Sequence, residues 1–406
     1  MKSVKNYVYT ERAHFMCPNM HFGIMVRIKS SYDKEQVKES LKILQEAHPF
    51  LTSLIAEEKE THRLYYQVQD CINIPVTEKT DATLWQRDYN DISSNGWNVK
   101  KEYMLKVLAY PQADEFQILF ISHHLLCDGR GLLQLAEEFS EYYAHKTVPP
   151  FTQEHLIRSI HDLPANADLP LISKLMIKEV NRRWDKEQHP VSYEAYLDFE
   201  KDFSRSNIIQ REVDTLKGQA FEDIRTLCKQ HGISINDYLL ARMMRENNIN
   251  KVIIAADIRD QIHCYNPGAM GNYSTAFSVV ITKKEKDMFS LAKQISAKVL
   301  HIMKQPQKQF LVLACYLHMR PELIDAVAIS ALGTFGSKAG AFVGRNMFGY
   351  GSRNGYSITN LGKIQSDIIA EATFIPPASP ANKKTWGVLT VNDHMNICES
   401  TLMPRN

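Results

Sequence analysis

The sequence predicts an α/β fold in two parts. Three observations point to it. The first part alternates apolar runs of strand length with amphipathic helical stretches. A segment carrying Pro149, Pro150, Pro164 and Pro170 interrupts the pattern between 145 and 170. Beyond it, strands and helices resume in no fixed repeat. A chain of 406 residues has the length of two to three domains, or of one large two-part body.

Each element has its own signal. Phe22 to Ile28 reads as a strand. Val37, Leu41, Leu44 and Ala47 then recur at helical spacing with Lys and Glu between them. His48-Pro49 ends that helix, because a residue before proline avoids the α region. Tyr65–Val68 and Tyr103–Ala109 read as strands around a polar stretch. Phe116 to Ile121 is almost unbroken apolar sequence, the mark of a strand covered on both faces. Behind Gly129 and Gly131, Leu132, Leu135, Ala136, Phe139 and Tyr143 mark an amphipathic helix. In the second part, Phe221–Cys228, Ile235–Arg245 and Phe289–Met303 predict helices, with Ser234 or Asn236 capping the middle one. Lys251–Ala256 and Thr275–Ile281 predict strands, and Trp386–Ile397 one or two more. Residues 330–356 hold seven glycines and read as a long irregular excursion.

Composition excludes several classes. There are 48 basic and 46 acidic residues, a net charge of +2, which gives no support to nucleic-acid binding by bulk electrostatics. No apolar run approaches the roughly 20 residues of a membrane helix, and the first residues carry no apolar stretch of a signal peptide. The seven cysteines, at 17, 71, 127, 228, 264, 315 and 398, form no C-x-x-C pair. Reduced thiols and a cytoplasmic location are expected, with no disulfide framework and no metal site. Residues 171–190 carry Leu171, Leu175, Met176 and Trp184 beside Lys174, Lys178, Arg182 and Arg183. That is either a packed helix with a solvated basic face or a face that docks on a membrane or an acidic partner.

The most specific string is His123-His124-Leu125-Leu126-Cys127-Asp128-Gly129, on the turn from a buried strand into a helix. An imidazole titrates near neutral pH and can take a proton from a hydroxyl or amine. The residues alone also admit two satisfied core histidines with Asp128 as a helix cap. A metal site would need a third ligand at a recognisable spacing. A Cys127 nucleophile would need its adjacent histidine to point at it, which neighbours on one turn seldom do. Gly349 to Gly355 has the wrong spacing for a G-x-G-x-x-G phosphate loop. Lys283, Lys284 and Lys286 form a small basic cluster, either a solvated face or a dock for a 3′-phosphate or an acidic carrier.

This string resembles the H-H-x-x-x-D-G signature of the condensation-domain and coenzyme-A-dependent acyltransferase superfamily. Val37 to Leu51 with its Ala47-His48-Pro49-Phe50-Leu51 ending, Ile254 to Arg259, Gly271-Asn272-Tyr273 and Ser357 to Gly362 follow in the order that family has. Two departures stand out. Ala47 replaces a common arginine, and there is no Asp-Phe-Gly-Trp-Gly string, which sets the chain apart from the plant branch. The resemblance implies two chloramphenicol acetyltransferase-like subdomains, about 1–160 and 161–406, meeting in a V. An active-site tunnel would run between them, and a segment near 335–365 would bridge them. It implies acyl transfer from a thioester, acyl-CoA being favoured over a phosphopantetheine-linked acyl group on a carrier protein, to a small alcohol or amine. No tightly bound cofactor is implied. His124 would be the general base, Gly129 would lend its N–H to the oxyanion, and His123 would shape the loop. Asp128 would pair with Arg259 to hold that loop, and Asn272, Ser357 and Asn360 would line the tunnel. A carrier-dependent condensation enzyme and a catalytically silent binding protein are the alternatives on the same fold.

Overall fold

The computed structural model describes residues 5–70, 73–187, 189–282, 285, 287–333 and 335–405. Lys283, Lys284, Lys286 and Cys71 therefore lie outside the described residues. The fold is a mixed α/β body built on two main sheets.

The first sheet has five strands in the order Ile369–Ile375, His21–Ile28, Phe116–His123, Leu105–Pro111 and Val76–Glu78. Phe116–His123 is central, and Phe116, Ile118, Leu119, Phe120 and Ile121 are all fully buried, as its unbroken apolar run predicts. The helix Gly129–His145 follows it and lays Leu132, Leu135, Ala136 and Phe139 into the core. Phe120 and Phe139 meet edge to face with centroids 5.3 Å apart. The helix Lys34–Ala47 is capped by Asp33, which accepts from the Gln36 N–H, and it ends at His48-Pro49. His48 Nε2 then meets Glu138 Oε2 at 2.6 Å, tying the end of this helix to the helix Gly129–His145.

The second sheet has six strands in the order Ser274–Val280, Lys251–Asp257, Gly355–Ile364, Asn382–Val391, His394–Pro404 and Asn207–Lys217. Helices Gln219–His231, Ile235–Glu246 and Met288–Met303 cover it. Ser234 is the cap of the middle helix, in a capping box with Asp237. Trp386–Ile397 resolves into two paired strands. The helix Leu171–Glu187 buries Ile177, Val180 and Trp184 and leaves Leu171, Ile172, Leu175 and Met176 exposed. Among the described residues no helix is long and apolar enough to cross a membrane.

Three parts of the structure differ from the sequence reading. The stretch 330–356 is not one irregular excursion. It holds the end of the helix Pro321–Leu332 and the helix Lys338–Asn346. Its glycines serve close packing: a Cβ on Gly344 would stand 2.6 Å from both Ala331 Cβ and the Val327 carbonyl, and one on Gly340 would stand 2.8 Å from Ser330 Oγ. The chain re-enters the first sheet through Ile369–Ile375, just past the 335–365 stretch expected to cross, whose own strand Gly355–Ile364 lies inside the second sheet. Asn207–Lys217 is a sheet edge whose residues are largely exposed, so it lacks the apolar alternation that marks a half-buried strand.

The N-terminal segment is fastened to the distal helices. Arg12, on the short turn Thr10–His14, donates from Nε to Asp325 Oδ1 at 2.9 Å and from Nη2 to Oδ2 at 2.6 Å, with both residues buried.

Candidate active site

The strand Phe116–His123 ends where the first sheet faces the second. His123 and His124 diverge there. His123 is buried, accepts the Leu125 N–H on Nδ1 at 3.2 Å and sets its ring edge-on to Trp97. Burial, with the charges of His124 and Lys106, lowers its pKa to about 3, so it is a neutral part of the loop. His124 instead borders a cleft of about 350 Å³ between the two sheets. Phe22, Gly129 and Phe374 line it from the first side, and Ala256, Ser274 and Asn360 from the second.

His124 is held on several sides. Asn272 Nδ2 lies 3.0 Å from its Nδ1 and donates to its carbonyl at 3.3 Å. The His124 N–H donates to the Met20 carbonyl at 2.8 Å. Phe22 meets the ring edge-on at 4.9 Å, and His14 stacks on it at 4.3 Å with 15° between planes. Burial lowers the His124 pKa, while the Asp128 charge and its own main-chain carbonyl pull it partly back. The ring is therefore neutral at neutral pH, the state a proton acceptor needs.

Asp128 does several structural jobs with one carboxylate. It caps the helix Gly129–His145 by accepting the Gly131 N–H at 2.9 Å. It accepts the Tyr273 N–H at 2.8 Å and a two-pronged bond from Arg259, Nη2 to Oδ1 at 2.9 Å and Nη1 to Oδ2 at 3.0 Å. Its own N–H donates to the Gly271 carbonyl at 3.1 Å. Burial pushes the carboxyl up, but Arg259 and the two N–H donors hold it below the usual carboxylate range. Arg259 also reaches Asp257 at 3.0 Å. These bonds join the histidine loop of the first sheet to the strand ends of the second.

Gly129 opens the helix and borders the cleft. A Cβ there would stand 2.9 Å from Leu361 Cδ2 and 3.2 Å from the Phe374 ring. Gly129→Ala is expected to cost about 1–3 kcal/mol by overpacking, read as a lower urea midpoint. A variant as stable as the parent would show that Leu361 gives way freely. Gly271 needs its glycine for two reasons: φ is +152° and a Cβ would meet Tyr273 and Leu156 at 2.9 and 3.0 Å.

The other candidate residues separate. Asn272 is buried against His124 rather than lining the cleft. Asn360 does line it, accepting the Gly362 N–H at 2.8 Å. Ser357 is buried in the second sheet, where it donates to Thr385 Oγ1 at 2.9 Å and accepts from Asn382 at 2.7 Å. It is a sheet hydrogen-bond partner and not a cleft residue. The Cys127 thiol is buried and pushed up to about 12, which leaves no thiolate for attack. His14 has no sequence signal at all: it is one of 15 histidines, and only the fold brings it to His124.

The histidine-bearing loop lies at the junction of two sheet-and-helix units. The chain has the two-subdomain fold of condensation domains and chloramphenicol acetyltransferase-like acyltransferases. Solved structures place it there. It matches TRI3 trichothecene 15-O-acetyltransferase from Fusarium sporotrichioides over 98% of this chain and 90% of that one, at 12% identity and TM-score 0.65. The first condensation domain of the calcium-dependent antibiotic synthetase matches over 98% and 91%, at 10% identity and TM-score 0.62. Polyketide synthase associated protein 5 from Mycobacterium tuberculosis matches over 98% and 92%, at 13% identity and TM-score 0.59. No protein-family model and no curated protein matches the sequence.

Proposed function

We propose that the protein is an acyltransferase that moves an acyl group from acyl-CoA to an alcohol or amine, with His124 as general base. The observation that carries this reading is His124 itself, its main chain held by Asn272 and Met20 and its ring opening onto a cleft between the sheets. In the tautomer with the ring hydrogen on Nδ1, toward the residue's own carbonyl, the Asn272 amide bonds to that carbonyl and not to Nδ1, and Nε2 is left to take the acceptor's proton. The freed oxygen or nitrogen attacks the thioester carbonyl. In this reading the N–H of Gly129, which opens a helix and borders the cleft, stabilises the developing oxyanion. Collapse breaks the C–S bond, and the departing thiolate takes the proton back from His124. Binding both substrates in one cleft supplies much of the rate.

A second cavity supports an anionic donor. It measures about 740 Å³ and lies between the second sheet and the helices Leu311–His318 and Lys338–Asn346. Lys251, Lys308 and Arg345 line it, all three exposed, and no Asp or Glu does among the described residues. The cavity and the cleft border the same strand, Lys251–Asp257, with no lining residue in common. Asp257 and Ala255 border the cleft and Ile253 borders the cavity, alternate residues on one face of one strand. Tyr350 of the cavity touches Cys17 at 3.9 Å, beside the Met20 whose carbonyl holds His124. In this reading the CoA phosphates dock at the basic mouth and the acyl group reaches His124 along the sheet. Reversing all three charges to Glu is expected to raise KM for acyl-CoA at least about tenfold and leave kcat nearly unchanged. The same variant should use an acyl-N-acetylcysteamine thioester, which has no phosphate, as well as the parent does. An equal KM for acyl-CoA would place the donor elsewhere.

The direct test is thiol release from acetyl-, octanoyl- and palmitoyl-CoA against a panel of alcohols and amines. Acceptor-dependent release is the expected result. Silence throughout, with release only from acylated carrier proteins, would replace CoA by a carrier-bound donor, the partner that a condensation domain would use. Silence with both would overturn the enzyme reading.

A further inference from the structure

We propose that His14 is a positioning residue: its ring face fixes the plane of His124 and stabilises that ring when it carries the proton. The contact is face to face, with centroids 4.3 Å apart and 15° between planes. Stacked rings present no nitrogen to each other, so the pair is not a hydrogen-bonded relay. What His14 offers is a π face, and a cation over such a face is attracted to it. The attraction grows when His124 becomes an imidazolium, so it acts on the step and not on the resting pair.

The placement is built. His14 ends the single turn Thr10–His14. Two residues before it, Arg12 is locked to Asp325, and directly after it Phe15 stacks on Tyr193 at 4.9 Å and 10°. The segment is therefore pinned on both sides of the ring. His14 Nδ1 is buried without a hydrogen-bond partner among the described residues. Burial and the charges of His124 and His123 keep its pKa well below the usual range, so the platform stays neutral while His124 titrates. The other groups facing His124 are Asp128, which favours its charge, Asn272 at Nδ1 and the edge of Phe22, with Arg259 behind Asp128.

The inference rests on His124 being the base, and the experiment separates the two. His14→Leu fills the space and excludes water but removes the π face; His14→Phe keeps a face. The midpoint of the acidic limb of kcat/KM should fall by about 0.5 to 1 in the Leu variant and stay near the parent's in the Phe variant. NMR titration of the His124 ring should show the same two shifts without any turnover. Equal midpoints in parent, Leu and Phe proteins would overturn the proposal. So would a rise in the Leu variant, which would mean that His14 acts by burial alone. NMR shifts as expected in a protein with no acyl transfer would uphold the ring contact and sink the assigned reaction instead.

Discussion

His124→Ala is expected to lower kcat/KM by about 10²- to 10⁴-fold, the usual contribution of a positioned acid–base group. The fold should survive, because His124 is only partly buried and the loop is held by Asp128 and by main-chain bonds to Met20 and Gly271. The parent's kcat/KM should rise with pH as the imidazole loses its proton and level off at a midpoint below 6.5, since burial lowers that pKa. The limb should vanish in the variant. Thiol release over a pH series, beside a thermal melt, checks both. Near-parental turnover in the variant would remove His124 from the chemistry.

Asp128→Ala is expected to cost about 3 kcal/mol of stability, because it leaves the Arg259 guanidinium with the more exposed Asp257 and strands the Gly131 and Tyr273 N–H groups. Side-chain exposures of 4% for Asp128 and 11% for Arg259 leave little solvent to compensate. The rate should drop as well, by about 10²-fold, through a displaced histidine loop. Asp128→Asn should be milder, since it can still accept the Gly131 or Tyr273 N–H. The sign of the pH effect follows from the lowered pKa. The carboxylate's contribution is present above the unfolded value of about 3.9 and is lost as pH falls through the lower folded value. Urea midpoints at pH 7 and pH 3 read this out. Lost rate with unchanged melting would mean that Asp128 touches the reaction directly.

Much of the candidate site was legible because it is local. His123 to Gly129 occupies one strand end and one helix start, and the string shows strand, turn and helix without outside help. Asp128 as a cap follows from its position before Gly129-Arg130-Gly131. The Asp128–Arg259 pair was reachable through the family resemblance, not through any pattern linking positions 131 residues apart. Asn272 was named for the wrong surface: its residue type suits a cleft wall, but its amide is turned onto His124. Ser357 was drawn in by a motif; it shares the strand face of Thr359, which borders the cleft, but its hydroxyl is engaged by Thr385 and Asn382.

The sequence by itself determined the elements whose signals are local: apolar periodicity, caps and the proline stop. It also placed the two histidines at the end of one strand. Only the tertiary structure decided which distant pieces meet. The stack of His14 on His124, the insertion of Ile369–Ile375 beside His21–Ile28 and the close packing at Gly340 and Gly344 all join residues far apart or facing different elements. A sequence records propensities along the chain. Contacts of this kind are selected by the burial of whole faces and the pairing of buried charges, and they exist only once those faces close on one another.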